Sequence, residues 1–191
     1  MIRRHVFLAV PALSAVALLA ACSGSPDRYS VEAPTVTSQQ RIVFRSVEIR
    51  QVSLPSHAAA EEISLQEPGG KVVEEDGALW SDSPERAIGL ELSRHLTRMT
   101  GARIAPDPWP FEAYPDARLE VRFAELVASK AGVMRGEGQY FVSATSGGRE
   151  RTGLFELAVP FDAKGGPPAV AAARGRLIRD LAELLAREGL R

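Results

Sequence analysis

Cysteine is nearly missing from this chain: Cys22 is the only one in 191 residues. That excludes an internal disulfide framework, a Cys-x-x-Cys redox pair and a thiolate zinc site. An excess of positive charge is missing as well. The 23 Lys and Arg are matched by 24 Asp and Glu, for a net charge of −1, and no basic stripe runs along the chain, so no nucleic-acid partner is expected. Catalytic signatures are equally scarce. Neither Ser143 nor Ser146 sits in a Gly-x-Ser-x-Gly elbow. Gly132, Gly136 and Gly138 make only part of a dinucleotide fingerprint, since Phe141 stands where the third glycine belongs and no helix follows, so they read as a flexible turn between strands. Gly165-Gly166-Pro167-Pro168 precedes no Gly-Lys-Ser/Thr and reads as a linker into the last helix. Glu61-Glu62 and Glu74-Glu75-Asp76 lack the alternating ligands and glycine of a calcium loop and read as solvated turns. His95, beside the core position Leu96, reads as a boundary or surface imidazole, and His57, in the loop Pro55-Ser56-His57-Ala58, has no second ligand near it. No enzymatic activity, cofactor or metal is expected.

What is present begins at the N-terminus. Arg3, Arg4 and His5 precede an apolar run from Val6 to Ala21, interrupted by Pro11. The run is shorter than the roughly 20 residues of a spanning helix and reads as the core of a signal peptide. It ends Leu19-Ala20-Ala21-Cys22, which resembles the bacterial lipobox: an aliphatic residue, two small residues for the peptidase, and a thiol that takes a diacylglycerol. Residues 1–21 are therefore an expected lipoprotein signal peptide, 22–28 a lipidated Cys22 with a short tether, and 29–191 one domain. Removal of Arg3 and Arg4 takes the net charge to −3, so electrostatic attraction to anionic lipid is not expected to be the main anchor of the mature protein. Ser23 follows the cysteine where an aspartate would resemble the inner-membrane retention signal. The expected place is the outer membrane, facing the periplasm. Six residues, Ser23 to Arg28, reach about 20 Å when extended and keep the domain close to the bilayer.

Beyond the tether, 45% hydrophobic and 25% charged residues describe an ordinary globular domain. Arg41 to Val52 reads as a strand, and Ile63–Gln66 and Lys71–Val73 as a hairpin around Pro68-Gly69-Gly70. Ser83 is a candidate N-cap with Pro84 at the first helical position; Ile88, Leu92, Leu96 and Met99 follow at helical spacing and Gly101 closes the helix. Leu119, Val121 and Phe123 alternate as a half-buried strand, and Gln139–Thr145 and Thr152–Val159 follow as a meander around Ser146-Gly147-Gly148. Val170, Leu177, Ile178, Leu181, Leu184 and Leu185 form one face of a closing amphipathic helix. Together these predict an α/β (α+β) fold, a two-layer sandwich of a mostly antiparallel sheet with two main helices.

Two aromatic features stand apart. Trp80 precedes the helix cap and is expected to pack against the helix entry. Trp109 and Phe111 lie in the proline-stiffened loop Pro106-Asp107-Pro108-Trp109-Pro110. They are candidate partner contacts, although burial on the core is the commoner fate of a tryptophan and the favoured reading here.

The lipobox, the strand into Val52-Ser53-Leu54-Pro55, Trp80 ahead of a Pro-led helix, the strand Leu119–Phe123, the strand Gly138–Val142 and the last amphipathic helix occur in an order that resembles the ABC-type transport auxiliary lipoprotein family, of the PqiC-like, paraquat-inducible type. The resemblance covers nearly the whole mature chain. It implies a non-catalytic outer-membrane lipoprotein of an intermembrane transport system for lipids or other hydrophobic molecules, in which it is the periplasmic docking subunit. Its implied partners are an MCE-domain periplasmic protein with an ABC permease and ATPase, and a homo-oligomer stays open. A structural or assembly lipoprotein of the envelope is the alternative, and a hydrolase using His95 a further rival. Cargo, direction of transport and docking surface are not written in these residues.

Overall fold

The computed structural model describes residues 25–148 and 150–191; the signal-peptide region and Cys22 lie outside the described residues. In chain order the elements are β1 (Asp27–Tyr29), β2 (Ser46–Ser53), the one-turn α1 (Ser56–Ala59), β3 (Glu62–Gln66), β4 (Val72–Trp80), α2 (Pro84–Thr100), β5 (Arg103–Pro106), β6 (Ala117–Ser129), β7 (Val133–Ala144), β8 (Glu150–Pro160) and α3 (Gly166–Leu184), which runs into a π-helical turn at Leu185–Gly189. Asp27 and Arg28, at the end of the expected tether, already belong to β1, where they pair with Ala78 and Leu79.

All eight strands join one sheet in the order β1-β4-β3-β6-β2-β5, with β7 and β8 added beyond β6. The longest ladders, β6 with β7 and β7 with β8, are antiparallel and form the expected meander. The shorter pairings of β2 with β5 and β6, of β3 with β6 and of β1 with β4 are parallel. Both main helices cover the same face, α2 over β2 and β5 and α3 over β7 and β8. Between the layers Val47, Ile49, Ile63, Leu119 and Val121 meet Ile88, Leu92, Leu96, Leu177, Ile178 and Leu181 in one core.

The helix boundaries follow local chemistry. Pro84 opens α2, where its missing N–H breaks no bond. Ser83 holds the N-cap position but makes no side-chain cap; instead its N–H donates to Asp82 Oδ1 at 2.9 Å. Gly101 closes the helix in the left-handed region at φ 69°, its N–H reaching Thr97 O, which an L side chain would strain.

Two expectations are corrected. The strand predicted from Arg41 begins at Ser46. Residues 30–45 form instead an irregular strap across the helix layer, tied by Gln40 N–H to Met99 O (2.8 Å) and Val43 N–H to Leu190 O (3.0 Å). Val31, Val36, Ile42 and Phe44 pack from it onto the core, so their apolar spacing reflects docking on helices and not sheet pairing. It crosses α3 at Gly175, where a Cβ would come within 2.8 Å of Val31 and 2.9 Å of Glu32 O. The second correction concerns Gly136 and Gly138, which are not a turn but inward positions of β7. A Cβ on Gly136 would lie 2.9 Å from Leu177, so the missing side chain there lets α3 lie close on the sheet, whereas one on Gly138 would run into Arg122 O of β6.

One ionic cluster is buried between the layers. Arg174 on α3 donates from Nη2 to Glu91 Oε1 on α2 at 3.0 Å, and its guanidinium lies 4.1 Å from the centroid of Trp80. All three residues are under a tenth exposed. Burial pushes the Glu91 carboxyl above its ordinary value by more than Arg174 pulls it down, and burial lowers Arg174 in turn. The pair thus costs desolvation that its attraction does not fully return.

Candidate functional site

The sheet has two unlike ends. At one, Gln66 pairs with Ser129, Ser129 with Val133, and Val133 with Pro160, so the β3–β4 and β6–β7 turns and the loop after β8 cluster together. We refer to this as the turn end. At the other, Val47 pairs with Ala117 and Ala117 with Ala144, bringing together the end of the strap, loop 107–116 and the Ser146–Gly148 turn. The strand β1 runs parallel to β4. Because β4 starts at the turn end, the chain leading back toward Cys22 leaves in that direction, away from loop 107–116.

Loop 107–116 is pinned at its base. Asp116 Oδ2 accepts the N–H groups of Arg45 (2.8 Å) and Ser46 (3.1 Å), and Asp116 N–H donates to Ser46 Oγ (3.0 Å). Within the loop, Trp109 Nε1–H donates to Ala113 O at 2.7 Å. The Trp109 and Phe111 rings meet edge to face with centroids 4.9 Å apart, and the Arg103 guanidinium lies 5.2 Å from the Phe111 centroid. Core burial, the favoured reading for this pair, is therefore wrong. The pinned loop folds Trp109 onto Phe111 instead of onto the sheet, leaving Trp109 half-buried and Phe111 exposed. Tyr114, 83% exposed, and Val43, 53% exposed, extend the apolar surface. Neither is legible in the sequence: Tyr114 carries no periodic signal, and Val43 falls in the run that reads as a strand. The rigid aromatics offer contact area at low entropic cost and no catalytic group.

The histidines do not form a site. His95 is fully buried, not at the boundary as expected, and neither ring nitrogen has a hydrogen-bond partner among the described residues. Burial, reinforced by Arg98, Arg94 and Arg179, lowers it from 6.5 to about 4. His57 lies in α1, not a loop, with Nε2 3.8 Å from Glu125 Oε1. Among the described residues no group of three His, Cys, Asp or Glu could hold a metal ion, and no helix is long and apolar enough to cross a membrane.

The neutral state of His95 has a measurable consequence. Between pH 6.5 and 4 the unfolded chain takes up the proton and the folded chain does not, so stability falls as pH drops through that window and levels off below it. The loss amounts to about 3 kcal/mol. Glu91, raised by burial, works in the opposite sense. Urea unfolding of the wild type and of His95→Leu at pH 7.5 and pH 4.5 separates the two. The variant is expected to be at least as stable at neutral pH, since leucine removes an unpaired buried polar ring, and to lose less stability in acid. An equal acid loss in both proteins would contradict the assignment.

Residues 29–186 match the family model described as ABC-type transport auxiliary lipoprotein component. No curated protein matches the chain. Among solved structures, an uncharacterized protein superimposes with a TM-score of 0.69 at 13% identity, covering 85% of this chain and 97% of that one. A protein from Xanthomonas campestris superimposes with a TM-score of 0.65 at 18% identity, covering 83% and 93%. At these identities the likeness is one of fold.

Proposed function

The chain belongs to the family of ABC-type transport auxiliary lipoprotein components, and from that premise we propose that it is the outer-membrane, lipid-anchored docking subunit of an ABC/MCE-type intermembrane transport system for lipids or other hydrophobic molecules. The match over residues 29–186 carries the reading. Cys22 is the lipid attachment site, and Ser23 directs the protein to the outer membrane. The domain performs no chemistry; it positions a surface.

That surface is the Trp109–Phe111 loop with Tyr114 and Val43. Two features support the choice. The chain toward Cys22 leaves from β1 away from this loop, so the loop points into the periplasm, toward a partner arriving from the inner membrane. The aromatics are also held rigid before contact, as the anchors of an interface are.

A photo-crosslinking residue in place of Phe111, in intact cells, tests the proposal. Recovery of an MCE-domain protein at Phe111, with its permease and ATPase co-purifying, is the expected outcome. Recovery of barrel-assembly or peptidoglycan-bound proteins instead would replace the transport role with a structural one. Phe111→Ala is expected to weaken the partner's binding by about 1–3 kcal/mol with the fold intact, measured by co-purification and circular dichroism.

A further inference from the structure

We propose that the turn end of the sheet is the face that meets the membrane, with Lys71, Lys130 and Lys164 resting on anionic lipid headgroups. This rests on the lipid-anchored reading of Cys22. Of the 23 Lys and Arg in the chain only these three are lysines, and the fold brings all of them to one end: Lys71 closes the β3–β4 turn, Lys130 opens the β6–β7 turn, and Lys164 lies in the loop between β8 and α3. All three are exposed. Across the sheet, Gln66, Ser129, Val133 and Pro160 stand in register beneath them. Arg135, bonded to Gln66, and Arg176, bonded to Pro160 O, add two cations near the same end. Against these stand Glu67, paired with Lys130 at 2.8 Å, Glu75 near the same lysine, and Asp162, whose Oδ1 accepts Lys164 N–H. Glu74, exposed and as far in from the turn on β4 as Arg135 is on β7, is a fourth carboxylate, so the end carries five cations against four anions on a chain whose net charge is −1.

The length of chain before β1 fits this placement. Asp27 is level with Ala78, and β4 runs back from there to Val72 at the turn end; because β4 is bulged, Leu79 to Val72 lies opposite only Glu62 to Gln66 of β3, a distance of about 13 Å at strand rise. Five steps separate Asp27 from Cys22, reaching at most about 17 Å in the same direction. The tether is therefore long enough for a lipidated Cys22 to reach the level of the three lysines. Lysine suits that position: its long apolar stem lies along the surface while the ammonium reaches the phosphates. A protein held by acyl chains alone would tumble about its tether. Cations at the anchored end fix its orientation and hold loop 107–116 away from the bilayer.

The test uses the lipidated protein in vesicles of phosphatidylcholine, with or without phosphatidylglycerol, carrying a headgroup-attached quencher. Because Cys22 is the sole native cysteine and is consumed by lipid, Ala131→Cys at the turn end and Tyr114→Cys at the other each supply one thiol for a fluorophore. Quenching at position 131 is expected to exceed that at 114 several-fold with phosphatidylglycerol, and to fall as salt is raised. Replacing the three lysines with glutamine should remove most of that several-fold excess, bringing quenching at 131 down to that at 114, while the protein stays vesicle-bound. Equal quenching at the two positions, or stronger quenching at 114, overturns the proposal with the anchor intact. Intact-mass measurement showing no lipid on Cys22 overturns the anchoring reading and this one with it.

Discussion

Cys22→Ser should abolish lipid attachment and leave an unprocessed precursor, still carrying residues 1–21, in the inner-membrane fraction. On the proposed assignment of Cys22 as the lipid site the effect is expected to be complete, because a serine hydroxyl cannot form the thioether and cleavage after Leu19-Ala20-Ala21 would await the modified cysteine. Each buried methylene contributes about 0.8 kcal/mol, and more than one acyl chain is needed for stable anchoring; with none, the mature domain has no hold on the outer membrane. Palmitate labelling, gel mobility and membrane fractionation read the three consequences separately. Unchanged labelling of the serine variant would show that the lipid is elsewhere or absent. Transport should fail with it, although the domain folds normally.

Removing one partner of the buried Glu91–Arg174 pair should be the most damaging single change within the folded domain. Glu91→Leu leaves the Arg174 guanidinium charged, under a tenth exposed and without its carboxylate. A stranded buried charge typically destabilises by about 3–5 kcal/mol. For a domain of this size that corresponds to a fall in Tm of about 10 °C or more. Trp80, stacked on the same guanidinium, offsets part of the loss. The paired replacement Glu91→Leu with Arg174→Met removes both charges and should recover most of the stability, since burial already holds both groups away from their ordinary values. Thermal unfolding of Glu91→Leu, Arg174→Met and the paired variant beside the wild type closes a double-mutant cycle. If Glu91→Leu were as stable as the wild type, the pair would have no structural role.

How legible this was in the sequence depended on whether local chemistry or tertiary approach decided each element. The second helix is set by Pro84, by the spacing of Ile88, Leu92, Leu96 and Met99, and by Gly101, all of which act within a few residues. Its limits were therefore readable. The meander was readable for the same reason, from alternation and the Ser146-Gly147-Gly148 turn. The strap was not, because Ile42 and Phe44 alternate as they would in a strand, and only the position of Leu190 and Met99 shows that a helix surface takes them. Gly136 looked like a turn residue because nothing local reveals Leu177 above it. The parallel pairings of β2 join distant segments and leave no mark in the pattern of either. At the candidate site, the proline-flanked aromatics were visible, whereas their exposure depends on bonds from Asp116 to Arg45 and Ser46, some seventy residues away. Arg174 gave no sign of burial, since an arginine on an amphipathic helix normally faces water.

The direction of β1 also decides how the domain carries load. A partner pulling on loop 107–116 while the acyl chains hold Cys22 draws the two ends of the molecule apart. The tension enters along the axis of β1, parallel to its neighbour β4, so the hydrogen bonds between them are strained sideways and together, in shear, and not opened one after another as a peeled edge would be. Behind β1 the strap passes the tension on to the far ends of α2 and α3 through Gln40 and Val43. In the proposed lipid-anchored arrangement the short strand is thus a mechanical splice between lipid and domain, and pulling the protein by its N-terminus should require a larger rupture force than pulling β8 away from the opposite edge of the sheet.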